Sequence, residues 1–102
     1  MSDKYLLKLY ITGYTPRSQR AISNLIQLCE SQLRNKHEIV IIDVLEQPQV
    51  AESEKILVTP TLIKEFPLPK VRIIGDLSDT KTVLLGLNIP QKNRDILSDT
   101  NQ

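Results

Sequence analysis

The chain has 102 residues, 40% apolar and 25% charged, which gives one globular domain with a single core and excludes disordered, collagen-like and coiled-coil character. Net charge is +1 with the signs interspersed, and aromatics reach only 4%. Neither a phosphate-seeking field nor a base-stacking platform can be built from this. One cysteine, Cys29, and one histidine, His37, exclude an internal disulfide, a C-x-x-C redox pair and a Cys- or His-built metal site.

In chain order, residues 5–11 are rich in strand formers and stop at Gly13, which predicts a first strand. Thr15 fits a helix N-cap, and Pro16 fits the first helical position, where a missing N–H costs nothing. Ile22, Leu25, Ile26, Cys29 and Leu33 recur at spacings of three and four, predicting an amphipathic helix over 16–34. Ile39-Val40-Ile41-Ile42, followed by Asp43-Val44-Leu45, is an unbroken β-branched run of the kind parallel sheets cover on both faces. Strand, helix and strand in this span form a right-handed βαβ unit.

The second half carries weaker signals. Residues 48–57 suit a short helix opened by Pro48, and 58–63 suit a strand entered through Thr59-Pro60. Phe66-Pro67-Leu68-Pro69 cannot extend that strand, because both prolines lack a donor. Val71-Arg72-Ile73-Ile74 predicts a further strand ending at Gly75. Asp76 and Asp79 offer caps to a last helix with Val83, Leu84 and Leu87 facing a core. Gly86 and Pro90 limit that helix, and 91–102 reads as a frayed polar tail. With no linker or repeat, 1–102 reads as one domain. The N-terminus has no signal-peptide layout and no apolar run nears the roughly 18 residues of a membrane span, so a soluble cytoplasmic protein is expected.

The order β-α-β, then α-β-β-α, predicts a thioredoxin-like α/β fold, with Thr59-Pro60 where such folds place a cis-proline. The reactive loop of that fold would be Thr12 to Ser18, and it holds no thiol. Cys29, mid-helix on the apolar stripe, reads as a small buried hydrophobe; the competing reading is a monothiol redox protein. His37 has no placed partner for acid–base work, and three glycines cannot make a phosphate cradle. Glu52 and Glu54 read as a solvated face. Arg17, Arg20, Lys55, Lys64, Lys70 and Arg72 form either an ordinary solubilising surface or a partner-facing patch. No catalytic residue, cofactor or metal site is expected. By elimination the chain is a binding or regulatory module.

At this point the residues become specific. Lys8-Leu9-Tyr10 and Gly13-x-Thr15-Pro16-x-Ser18-x-Arg20-Ala21 resemble the start of the KaiB family of the cyanobacterial circadian clock. The likeness continues through Ile42-Asp43-Val44-Leu45, Lys55-Ile56-Leu57, Thr59-Pro60-Thr61-Leu62, Pro67-Leu68-Pro69 and Arg72-Ile73-Ile74-Gly75-Asp76-Leu77-Ser78-Asp79, covering about residues 4–88. The resemblance implies a non-enzymatic partner of the N-terminal ATPase ring of KaiC, a hexameric ATPase and autokinase. It further implies capture of KaiA, competition with the sensor kinase SasA and engagement of the kinase CikA. An adaptor that docks only on a sensor histidine kinase is the alternative. The resemblance also implies two folds: a tetrameric ground state ordered βαββααβ, and a rare monomer with the thioredoxin-like order. Partner contacts would fall on Arg20, Lys55, Lys64 and Arg72. Pro60, Pro67, Pro69 and Gly86 would govern the switch.

The chain departs from the clock proteins at three places. Tyr14 stands where they have Asn, Val71 where they have Arg, and Asn88-Ile89-Pro90-Gln91 where they have Asp-Leu-Leu-Tyr. Pro90 would interrupt the ground state's final strand. A divergent paralogue, or a homologue from a non-circadian stress system, is expected.

Overall fold

The computed structural model describes residues 4–90. The order is β1 (Tyr5–Ile11), α1 (Pro16–Gln32), β2 (His37–Asp43), α2 (Pro48–Ser53), β3 (Thr61–Phe66), β4 (Val71–Ile74) and α3 (Thr80–Gly86). This is the thioredoxin-like order. The strands form one mixed sheet, β2-β1-β3-β4, with β1 parallel to β2 and β3 antiparallel to both β1 and β4.

Period-two alternation gives the sheet two buried faces. Leu7, Leu9 and Ile11 of β1 and Leu62 of β3 meet Ala21, Leu25, Leu28 and Cys29 of α1 and Val83 and Leu84 of α3. On the other face Tyr10, Ile42 and Ile63 pack with Val44, Val50 and Ile56 around α2. The α1 cap is as the sequence implies: Thr15 Oγ1 accepts from Ser18 N at 3.1 Å, with Pro16 in the first turn. At the other end, Leu87 and Ile89 bury themselves beyond α3.

Four boundaries differ from the sequence reading. Helix α1 ends at Gln32, where Leu33 N closes on Cys29 O. Strand β2 opens at His37, as the sequence implies, but stops at Asp43, whose carbonyl accepts from Glu46 N and Gln47 N and so turns the chain. Helix α2 stops at Ser53, because Lys55 takes φ 55 and Ile56 N bonds back to Ala51 O. Strand β3 begins after Pro60 rather than at Val58, and runs on through Phe66 because β1 pairs with it as far as Leu6.

The turn after β1 is tied to β2 by one carboxylate. Asp43 Oδ1 accepts from Gly13 N at 3.1 Å and from Leu45 N at 3.0 Å, with Gly13 at φ 69. Asp43→Ala leaves both donors without that acceptor, and is expected to cost about 1–3 kcal/mol. At roughly 4–8 °C per kcal/mol the loss is read as a lower Tm, while Asp43→Asn, which keeps an acceptor oxygen, loses less.

Candidate functional site

Two regions could carry function: the loop end of the sheet where thioredoxin-like folds do chemistry, and the corner built by α2 and β4. At the loop end, Thr12 and Thr59 join hydroxyls at 2.7 Å beside the cis Thr59-Pro60 bond. No sulfur stands there. Cys29 lies on the inner face of α1 with no exposed surface, and burial, reinforced by the Glu30 charge, pushes its thiol up to about 12. A buried thiol of that kind stays protonated at neutral pH, which fits the small-buried-hydrophobe reading of Cys29 and stands against the competing monothiol one. Among the described residues no group of His, Cys, Asp and Glu could hold a metal ion, and no helix is long and apolar enough to cross a membrane.

The corner is built differently. Helix α2 has only 6 residues, and Gln47 gives it no side-chain cap. Arg72 of β4 secures its far end, with Nη2 donating to Glu54 O at 2.7 Å and Nη1 to Lys55 O at 3.1 Å. A guanidinium placed on the last carbonyls satisfies acceptors that the helix leaves open. Lys70 adds ion pairs to Glu54 at 3.0 Å and Glu65 at 3.8 Å. Outside these fasteners lies a shallow apolar groove lined by Val44, Pro48, Ala51, Ile56 and Leu57, with Glu52 and Lys55 on its rim. Leu57 stands 91% exposed. An apolar floor with charged groups at its margin has the anatomy of a protein-docking surface.

The expected site residues separate accordingly. Lys55 is exposed at the groove, and Arg72 is exposed but engaged with α2. Arg20 lies apart on α1, pairing with Asp76 at 3.5 Å. The Asp76 carboxyl is held below its usual range first by hydrogen bonds from Ser78, then by Arg20 and Arg17. Lys64 is a correction: it is 1% exposed, because β3 runs inside the sheet and turns Lys64 to the same face as Leu62. Its ammonium lies 5.9 Å from the Tyr5 ring centre, and burial lowers its pKa. Lys64 is therefore not displayed to a partner in this arrangement. Counting every second residue from Leu62 would have revealed this from sequence. The Phe66-Pro67 and Leu68-Pro69 bonds are cis, like that at Pro60. Gly86 ends α3, where an added Cβ would lie 3.1 Å from Ile73 Cδ1. The Arg72 clasp on α2 was not legible in the sequence, since nothing local sets a β4 arginine against a helix end.

The KaiB domain model matches residues 8–89. The chain belongs to the KaiB family. It is 58% identical over 87 residues to circadian clock protein KaiB3 of Synechocystis, with 85% of each chain covered. It is 52% identical over 85 residues to a circadian clock oscillator protein KaiB of Prochlorococcus marinus, with 83% of this chain and 81% of the relative covered. These KaiB relatives are named as clock proteins, not as catalysts. In three dimensions the chain is similar to the N-terminal domain of Synechococcus elongatus SasA, with TM-score 0.71, 25% identity, and 86% and 87% of the two chains covered. Chloroplastic thioredoxin z shares the fold at TM-score 0.69 and 20% identity, over 84% of this chain and 78% of that one.

The Cys29 environment sets a measurable behaviour. In the native protein the thiol is expected to stay inert to disulfide reagents at neutral pH and to react at the rate of unfolding. Because the folded-state pKa is raised from 9.0 to about 12, the buried thiol's contribution is intact below about pH 9 and declines as pH rises through that window. The stability difference between the native chain and Cys29→Ala therefore narrows above pH 9, read by denaturant midpoints.

Proposed function

We propose that this KaiB-family chain is a non-catalytic regulator that docks through the α2 groove on the N-terminal ATPase ring of a KaiC-type ATPase and modulates its phosphorylation or output. The observation that carries this reading is the α2 corner itself: an exposed apolar groove with Lys55 at its rim, in a chain whose only thiol is buried. The likeness to the SasA N-terminal domain supports it, because a protein that competes with SasA for one ring would present a similar shape. KaiA capture and engagement of a SasA- or CikA-type kinase would follow on the docked protein. The reading includes a resting oligomer ordered βαββααβ, from which the thioredoxin-like monomer is drawn. The system it serves is a circadian clock or a stress response built on the same pair.

The test is to mix the protein with the KaiC-type ATPase of its own organism and ATP, then follow complex formation for a day by size-exclusion chromatography with light scattering. A slowly appearing complex is expected, since apparent affinity falls with the fraction of competent monomer. Lys55→Glu reverses the rim charge and is expected to weaken the complex by about tenfold or more. Arg72→Ala frees the end of α2 and is expected to weaken it too, with faster amide exchange in 48–56. No complex with a demonstrably active ATPase overturns the reading. Binding to a sensor kinase alone selects the adaptor instead.

Gly86 tests the balance between arrangements. Alanine removes about 0.5–1 kcal/mol of glycine's helix penalty, and the displaced Ile73 Cδ1 is a side-chain end that can turn aside. Gly86→Ala is expected to favour the arrangement containing α3 and to shorten the lag of complex formation in the same mixing experiment.

A further inference from the structure

A cavity of about 290 Å³ opens where the chain leaves α1 and α3, beside Tyr5 at the start of β1. The Thr12 to Ser18 loop follows the other end of β1, and the α2 groove shares no residue with this cavity. Its size falls at the small end of ligand sites, which run from about 300 to 1,000 Å³.

Both walls are fixed by main-chain hydrogen bonds. After α1, Leu33 O accepts from Lys36 N at 2.8 Å and from His37 Nδ1 at 2.8 Å, and Lys36 O accepts from Tyr5 N at 2.9 Å. Asn35 stands at φ 58 inside this turn, a conformation that Asn tolerates, and the turn sets both Arg34 and Lys36 on the cavity. After α3, Asn88 N donates to Leu85 O at 3.1 Å and Ile89 N to Leu84 O at 3.0 Å, with Asn88 at φ 61. This paired closure is a Schellman motif; it buries Ile89 and leaves Pro90 on the cavity wall. A site held in this way gives up little freedom when a ligand enters.

The lining carries electrical character of both signs. Arg34 and Lys36 are exposed, and neither side chain makes a hydrogen bond or ion pair among the described residues. Against them stands the end of α1, where the helix dipole is negative and the last turn holds no basic residue. Gln32, in that turn, lines the cavity and has an amide oxygen buried without a donor. An acceptor in that condition is a cost to the fold unless a bound group supplies the donor. Tyr5, Leu33, Ile89 and Pro90 complete the lining with an apolar surface.

We propose that this cavity is a binding site for a free apolar α-amino acid. The carboxylate pairs with Arg34 and Lys36, as charge-assisted hydrogen bonds favour. The ammonium takes the negative end of α1 and donates to Gln32 Oε1, which turns to meet it about a soft terminal torsion. The side chain packs on the apolar surface. The site uses neither the α2 groove nor Lys55, so it stands or falls independently of ATPase docking.

The experiment titrates the isotope-labelled full chain with L-leucine and with L-phenylalanine and follows amide shifts by NMR. Saturable shifts are expected at the Gln32 side-chain amide and at the Arg34, Lys36 and Ile89 main chain, with residues 48–57 unmoved. Phenylacetate lacks the ammonium and phenethylamine lacks the carboxylate; each is expected to bind about tenfold more weakly than phenylalanine. Arg34→Ala combined with Lys36→Ala abolishes the preference over phenethylamine at unchanged Tm. Gln32→Met, close in size, abolishes the preference over phenylacetate, an effect that lost packing alone would not produce. Shifts that fail to saturate overturn the proposal. So does phenylacetate binding as tightly as phenylalanine. Acetate binding as tightly as phenylalanine marks a bare anion site and overturns it too.

Discussion

Everything in this fold depends on β1 being paired on both sides and buried on both faces. It runs parallel to β2 and antiparallel to β3, and it sends Leu7, Leu9 and Ile11 into one core and Tyr10 into the other. A parallel neighbour requires a crossover, which α1 supplies. The first half is thus closed by continuous, local connections. Within the sheet the second half joins it through a single strand, β3, and everything beyond β3 rests on elements of 4 to 7 residues.

Short elements need individual fasteners, and the structure shows them. Helix α2 would be marginal alone, and Arg72 and Lys70 tie its far end to β4 and β3. Helix α3 has an Asp79 cap, with Oδ1 accepting from Thr82 N at 3.2 Å, and buries Val83 and Leu84. The apolar groove sits on the shortest helix among the described residues. Its shape is therefore set by contacts that a single substitution can release.

The legible part of the fold was the part held by local chemistry. Thr15, Pro16 and the three-and-four spacing to Leu33 announced α1 within two residues, because caps and periodicity are written in neighbouring positions. The β2 run was visible and its start at His37 was read correctly, but its end was placed late, since the turn that Asp43 makes with Glu46 and Gln47 is not written in the β-branched run. Thr59-Pro60 was read as a cis-proline ahead of the third strand and the bond is cis, but the Thr12 hydroxyl that meets Thr59, 47 positions away, was not legible. The candidate site was half legible. Lys55 was named only through the resemblance and stands exposed at the groove, whereas the arginine that shapes the corner is a tertiary fact. Lys64 was misplaced because its charge was weighed ahead of its position in the alternation.

Lys64 also carries a consequence for the molecule as a whole. An ammonium shut against the Tyr5 ring has given up most of its hydration, and burial depresses its pKa as a result. The thioredoxin-like arrangement thus holds a counterweight at its centre. Any rearrangement of the second half that returned Lys64 to water would regain that hydration. The counterweight lightens as alkali removes the proton, since the folded side chain gives it up before a solvated lysine does. A charge buried in β3 can thereby set how readily the second half comes apart.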